Sequence, residues 1–213
     1  VAPIAVEAIF TNSGQICIAS SRTFVHENIY EKFVEKCVEV AKKRKIGSQF
    51  EAGVEFGPQV DKDTYTKALS YIQYGIDDGA KLELGGKRWG SEGFFIEPTI
   101  FSNVTDDMRI AKDEIFGPVM SILKFKDLEE VIDRANDTEY GLAACVFSKN
   151  IDNAFAFANQ VEAGLVRVNT TTSSSGLPFG GYKQSGIGRE GAEWGVELYM
   201  ETKAVTIKMP YKM

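Results

Sequence analysis

A chain of 213 residues, 44% hydrophobic and 25% charged, is ordinary globular material, long enough for one large core or two small ones, and is not a disordered polymer. No apolar run approaches the roughly 20 residues of a membrane-spanning helix, and no signal-like segment opens the sequence; a net charge of −6 without a basic stripe argues against nucleic acid and leaves small molecules as the expected partners. Three unevenly spaced cysteines and a lone histidine, His26, argue against a disulfide framework and a metal centre and point to a reducing, cytoplasmic compartment.

Val1 to Phe10 places Ile4, Ala5, Ala8 and Ile9 at helical spacing. Asn12, Ser13, Gly14 and Gln15 then break the pattern, so Cys17 is expected on a turn just beyond a helix. A strand follows near Arg22 to Val25, and a helix over about Ile29 to Lys43. A loop carries Gly53, Gly57 and Pro58, and the next helix covers about Lys62 to Asp77. Strands are expected at Lys81 to Leu84, Phe95 to Thr99, Met120 to Phe125, Ala143 to Phe147 and Leu165 to Val168. Helices over Leu128 to Asn136 and Ile151 to Gln160 are expected to be the crossovers joining the last three. Thr170 to Ser175 is a hydroxyl run read as a solvated loop. A glycine-rich stretch from Ser173 to Gly188 leads to a short helix near Glu190 to Leu198. Ala204 to Met209 alternates as a strand, suited either to a neighbouring subunit's sheet edge or to its own sheet. The alternation implies an α/β fold with a mainly parallel twisted sheet and helices on both faces.

Cys17 carries the leading chemical reading. Ser13 and Gly14 let a substrate approach the backbone, Ile16 and Ile18 supply apolar walls, and a thiolate is favoured where backbone N–H groups converge. The alternative is a buried, inert cysteine, the reading given to Cys37, in a helical pattern, and Cys145, in a strand-like one. In Asp113 to Pro118 a carboxylate and an aromatic ring precede a buried strand. They suit ribose hydroxyls and a flat cofactor, or simply join a helix to a strand. Pro178 to Glu190 is glycine-dense but does not match the dinucleotide fingerprint. Arg189 and Glu201 are spaced to form a charge-assisted pair across the domain, or else belong to a solvated charge cluster with Glu190.

Taken in order, these runs resemble the aldehyde dehydrogenase superfamily. Phe10 to Ala19 matches Phe-x-Asn-x-Gly-Gln-x-Cys-x-Ala, Glu114 to Pro118 matches Glu-Ile-Phe-Gly-Pro, and Pro178 to Glu190 matches Pro-Phe-Gly-Gly-x-Lys-x-Ser-Gly-x-Gly-Arg-Glu. Gly57-Pro58-Gln59-Val60, Glu97-Pro98-Thr99 and Tyr140-Gly141-Leu142-Ala143 support the match, and the texture is closest to the tetrameric, NAD-linked branch of cytosolic, mitochondrial and retinal enzymes.

The resemblance implies that Cys17 attacks the aldehyde carbonyl, giving a thiohemiacetal and then a thioester that is hydrolysed, with the Cys17 N–H as half of an oxyanion hole. Glu114 corresponds to the residue holding the nicotinamide ribose and Phe116 to the one beside the ring, while Lys67 and Gln59 lie toward the adenosine end. Phe179, Ile16 and Ile18 correspond to the substrate pocket, Glu190 to a proton-relaying acid, and Glu201 to an interface acid paired with Arg189. The implied cofactor is NAD, with NADP as the alternative. The implied partners are an aldehyde and further copies of the chain, as dimer or tetramer through the C-terminal strand.

In this family the cofactor-binding domain, the general-base glutamate and the asparagine of the oxyanion hole precede the cysteine, and those segments are not in this sequence. The resemblance is therefore to the C-terminal part, with residues 1–188 as the catalytic domain and 189–213 as a C-terminal helix and oligomerisation strand. The fragment alone is expected to be inactive, and a mitochondrial matrix location is the alternative to the cytoplasm, any transit peptide lying upstream. The loop between Asn169 and Pro178 reads as shorter than in the family. Competing readings are a non-catalytic, crystallin-like structural protein and a relative that passes the thioester to coenzyme A.

Overall fold

A computed structural model of the chain describes residues 1–210. Helix α1 (Ala2–Phe10) is followed by strand β1 (Arg22–His26) and helices α2 (Tyr30–Ala41) and α3 (Lys62–Asp77). Next come β2 (Lys81–Leu84), β3 (Thr99–Val104), α4 (Arg109–Lys112), β4 (Val119–Phe125) and α5 (Leu128–Asn136). The chain continues through β5 (Ala143–Val146), α6 (Ile151–Gln160), β6 (Leu165–Val168) and α7 (Ala192–Glu197).

Helices α3, α5 and α6 start where a side chain accepts from a backbone N–H that has no partner within the helix. Asp61 accepts from the Thr64 N–H at 2.8 Å, and Asn150 from the Asp152 and Asn153 N–H groups at 2.9 and 3.2 Å. At α5, Asp127 accepts from the Glu130 N–H while the Glu130 carboxylate accepts from the Lys126 N–H, a reciprocal cap.

Four strands form one sheet in the order β1-β4-β3-β2, with β1, β4 and β3 parallel and β2 antiparallel on β3. Both faces are covered, which is why Val119 to Leu123 of β4 are all buried. Ile100, Met120 and Ile122 meet Val6, Ile9 and Phe10 of α1 and Tyr30, Val34 and Cys37 of α2. Phe101, Val119 and Leu123 meet Ala68 and Ile72 of α3 and Ile110 of α4. The Tyr30 hydroxyl donates to the Ile122 carbonyl and accepts from the Asn103 N–H, at 3.0 and 2.7 Å, where β3 bulges with Asn103 at φ 53°. Asparagine is among the few residues that tolerate that conformation.

Five expectations change. The strand expected at Phe95 to Thr99 begins only at Thr99 and runs on to Val104; Pro98 has no N–H for a ladder, and the preceding residues make only an isolated bridge between Arg88 and Ile96. Of the two helices expected as crossovers only α6 joins strands of one sheet, because β5 and β6 pair with each other in a separate two-stranded parallel sheet and not with β4. Cys145 is accordingly half-buried, not sealed in a core. Ala204 to Met209 forms no strand and does not return to the sheet; Val205, Ile207 and Met209 are exposed.

Arg189 does not pair with Glu201. Its Nη1 folds back to the Gly181 and Gly188 carbonyls at 2.9 and 2.6 Å, acceptors supplied by its own glycine-dense segment. Of the C-terminal segment 189–213, residues 211–213 lie outside the described residues. Among the described residues no helix is long and apolar enough to cross a membrane.

Candidate active site

Helix α1 ends on the buried Phe10, packed edge-on against Phe56, and the Thr11 hydroxyl closes it by donating to the Glu7 carbonyl at 2.8 Å. The backbone then turns left-handed three times in succession, at Asn12 (φ 51°), Ser13 (φ 55°) and Gly14 (φ 76°). Such a run is unfavourable for L-residues and is held by its neighbours. The Ser13 hydroxyl donates to the Gly57 carbonyl at 2.8 Å, and the Gln59 side-chain amide donates to the Ser13 carbonyl at 3.2 Å. Gln15 accepts from the Val60 N–H at 2.8 Å and donates to the Pro58 carbonyl at 3.3 Å, while the Asn12 amide donates to the Gln15 carbonyl at 3.0 Å. A Cβ at Gly14 would sit 2.1 Å from the Gly117 carbonyl oxygen, so no other residue fits there.

The chain leaves this turn into a tight bend closed by the Ala19 N–H on the Ile16 carbonyl at 2.9 Å, and Cys17 projects from it as an exposed thiol. Among the described residues the Cys17 N–H meets no backbone acceptor. Cys37 is the opposite case, since burial pushes its thiol up to about 12 and keeps it protonated.

Cys17 opens on a cleft of about 970 Å³ that Ile16, Ile18, Glu114 and Phe116 also line. Phe116 sits at φ 56°, a rare conformation for a bulky residue. Ile115 is buried below it while the Phe116 ring and the Glu114 side chain stay exposed. Helix α3 pins this loop from behind. Lys67 Nζ donates to the Glu114 carbonyl at 2.7 Å, and the Tyr71 hydroxyl donates to the Asp113 carboxylate at 2.9 Å. Burial and that acidic partner push the Tyr71 hydroxyl up to about 12.

The remaining expected site residues stand back from the cleft. Lys67 supports the loop from α3 and does not line the cavity. Gln59 is buried behind the left-handed turn, its Oε1 lacking a partner among the described residues; it holds the nucleophile loop and does not line the cleft. Phe179 and Glu190 pair with each other through two backbone hydrogen bonds of 2.8 and 2.7 Å, the phenyl half-buried and the carboxylate exposed. Their segment lies backbone-to-backbone on the β5–β6 unit, where a Cβ at Gly164 would meet the Gly180 carbonyl oxygen at 1.8 Å. Sequence reasoning missed Ser13 and Gln15 as holders of the turn. The amides of Asn12 and Gln15 flanking a glycine were the available signal, because such side chains stabilise tight backbone by bonding it locally.

Residues 1–205 match the Aldehyde dehydrogenase family. The chain is 56% identical over 208 residues to an aldehyde dehydrogenase of Enchytraeus buchholzi, covering 97% of this chain and 42% of that one. It is 54% identical over 207 residues to retinal dehydrogenase 2 of Homo sapiens, covering 97% and 40%. An aldehyde dehydrogenase of Bacillus cereus, solved as its NAD+ complex, superimposes with a TM-score of 0.95 at 44% identity, covering 98% of this chain and 43% of that one. The chain thus spans about two fifths of the length of the relatives it matches.

Proposed function

The chain belongs to the aldehyde dehydrogenase family, and from that premise we propose that it is the C-terminal portion of an NAD-dependent enzyme that oxidises an aldehyde to a carboxylic acid through a covalent adduct on Cys17. The observation that carries the reading is the placing of an exposed thiol, on a braced left-handed turn, in the same cleft as Glu114 and Phe116.

In the proposed reaction the Cys17 sulfur adds to the carbonyl carbon, and the oxygen, as it becomes negative, is met by the Cys17 N–H. The Cys17–substrate bond holds the acyl group as a thioester until water attacks it and the acid leaves, regenerating the thiolate. NAD, when bound, supplies the acceptor for the hydride that leaves the adduct. The cleft suits it: an exposed carboxylate at Glu114 can accept from ribose hydroxyls, and the exposed Phe116 face can lie along a nicotinamide ring. Lys67 and Gln59 act at one remove, bracing the Glu114 and Cys17 loops. Glu190, solvent-exposed, is proposed to pass protons through water, and Phe179 to shape the substrate pocket behind Ile16 and Ile18. The C-terminal segment is proposed to join copies of the chain, its exposed Val205, Ile207 and Met209 adding as a strand to a neighbour's sheet. Three free cysteines favour a cytoplasmic setting.

Two measurements test the reading. In the full-length protein Cys17→Ser is expected to lower NADH production from an aldehyde by at least about 10³-fold, and the 213-residue chain alone is expected to produce none. A thiol-reactive aldehyde analogue should label Cys17 far faster than Cys145, and Cys37 only on unfolding. Equal, slow labelling of all three would support a structural protein instead.

A further inference from the structure

Strand β6 alternates, and Val166 packs toward the small core built by Phe157 of α6 and Val161 just beyond it, so Arg167 points to the opposite side. Arg167 is only 7% exposed; among the described residues its Nε has no acceptor, and its one side-chain hydrogen bond is from Nη2 to the Ser173 hydroxyl at 3.5 Å. Among the described residues it joins no ion pair. A guanidinium cannot shed its proton and brings five donors, and burying one without a counter-charge is costly. An uncompensated arginine of this kind calls for a role outside the core.

The hydroxyl run Thr170 to Ser175 supplies it. Thr170 and Thr172 are tied to each other, with their hydroxyl oxygens 2.8 Å apart and the Thr172 N–H on the Thr170 hydroxyl at 3.1 Å. That leaves Ser173 to meet Arg167, while Thr171 lines the cleft that holds Cys17. We propose that Arg167 is a positioning residue that tethers the hydroxyl run and so sets where Thr171 stands in the Cys17 cleft, making it a determinant of which aldehydes fit. The specificity half of this rests on the dehydrogenase reading given above; the tether does not. Aldehydes too short to reach from Cys17 to Thr171 are indifferent to Arg167, and long or aromatic ones depend on it.

The test compares the full-length protein with its Arg167→Met and Arg167→Lys variants, using acetaldehyde and a bulky aromatic aldehyde, together with amide hydrogen exchange over residues 171–175. Arg167→Met should raise KM for the aromatic aldehyde about tenfold, the change expected from losing one charged hydrogen bond, with kcat and the acetaldehyde KM unchanged. Its amides over 171–175 should exchange faster, and the lysine variant, which keeps a donor, should fall between. Equal KM changes for both aldehydes overturn the specificity role, and unchanged exchange in a folded variant overturns the tether. If the wild-type protein oxidises neither aldehyde, the dehydrogenase reading and the specificity role fall together, and exchange alone decides the tether. If the methionine variant does not fold, the lysine variant carries the same comparison.

Discussion

The two parts of this chain are built to different standards of rigidity. Around the four-stranded sheet, β4 buries five successive residues between two helical layers. Around the two-stranded sheet, every residue of β5 is half-buried, and the core reduces to Ile132, Phe157, Val161 and Ala163, each 6–9% exposed. The proposed nucleophile and cofactor loop ride on the first part, while the hydroxyl run and the Phe179–Glu190 bridge belong to the second. Local stability follows buried contact, so the proposed chemistry sits on the fixed part and the chain proposed to face the substrate on the more yielding one.

That contrast breaks most visibly through the core. Phe101→Ala should cost about 3–5 kcal/mol, whereas Phe155→Ala, on the exposed face of α6 at 57% exposure, should stay within about 0.5 kcal/mol; denaturant unfolding of the two variants measures both. Next comes Gly14→Ala, which adds left-handed strain to a backbone collision and should cost about 2–4 kcal/mol while slowing the labelling of Cys17. Gly176→Ala, whose nearest neighbour would be the Ser174 hydroxyl at 3.6 Å, should be close to neutral. Gln59→Met keeps the side-chain volume but removes the bond to the Ser13 carbonyl, for about 1 kcal/mol, and its sharper readout is a changed Cys17 labelling rate.

The smallest effect is electrostatic. Hydrogen bonds from Arg109 hold the Asp78 carboxyl below the usual carboxylate range. A folded-state value below the unfolded one means the contribution is present above the unfolded value and is lost as pH falls through the folded one. Asp78→Asn should therefore lower Tm slightly at neutral pH, and the difference should vanish once the solution is acidic enough to protonate Asp78 in the wild type.

Much of this architecture was legible where periodicity and capping agree. The bounds of α3, α5 and α6 follow from apolar spacing, with the caps the structure shows at Asp61, Asp127 and Asn150 in agreement, and β2 and β6 follow from short apolar runs between turns. The strand after Pro98 was displaced because apolar content does not reveal which N–H groups a ladder can use. The split into two sheets was hidden because pairing partners are chosen in three dimensions. The site was half legible. Cys17, Glu114 and Phe116 do share a cleft, whereas Gln59, Phe179 and Glu190 do not line it and are tied instead into local backbone hydrogen bonds. A string of residues records that such positions matter without recording whether they face a ligand or a neighbouring loop.

The meeting of Gly14 with the Gly117 carbonyl has a mechanical consequence. Where two loops touch through side chains, rotamer changes give them play, and each can drift by an ångström or more without the other. Here two pieces of main chain bear directly on one another, so the spacing of the loops that carry Cys17 and Phe116 has a hard stop at Gly14 and Gly117. The spacing of the two loops is then a property of the folded backbone and not of side-chain packing.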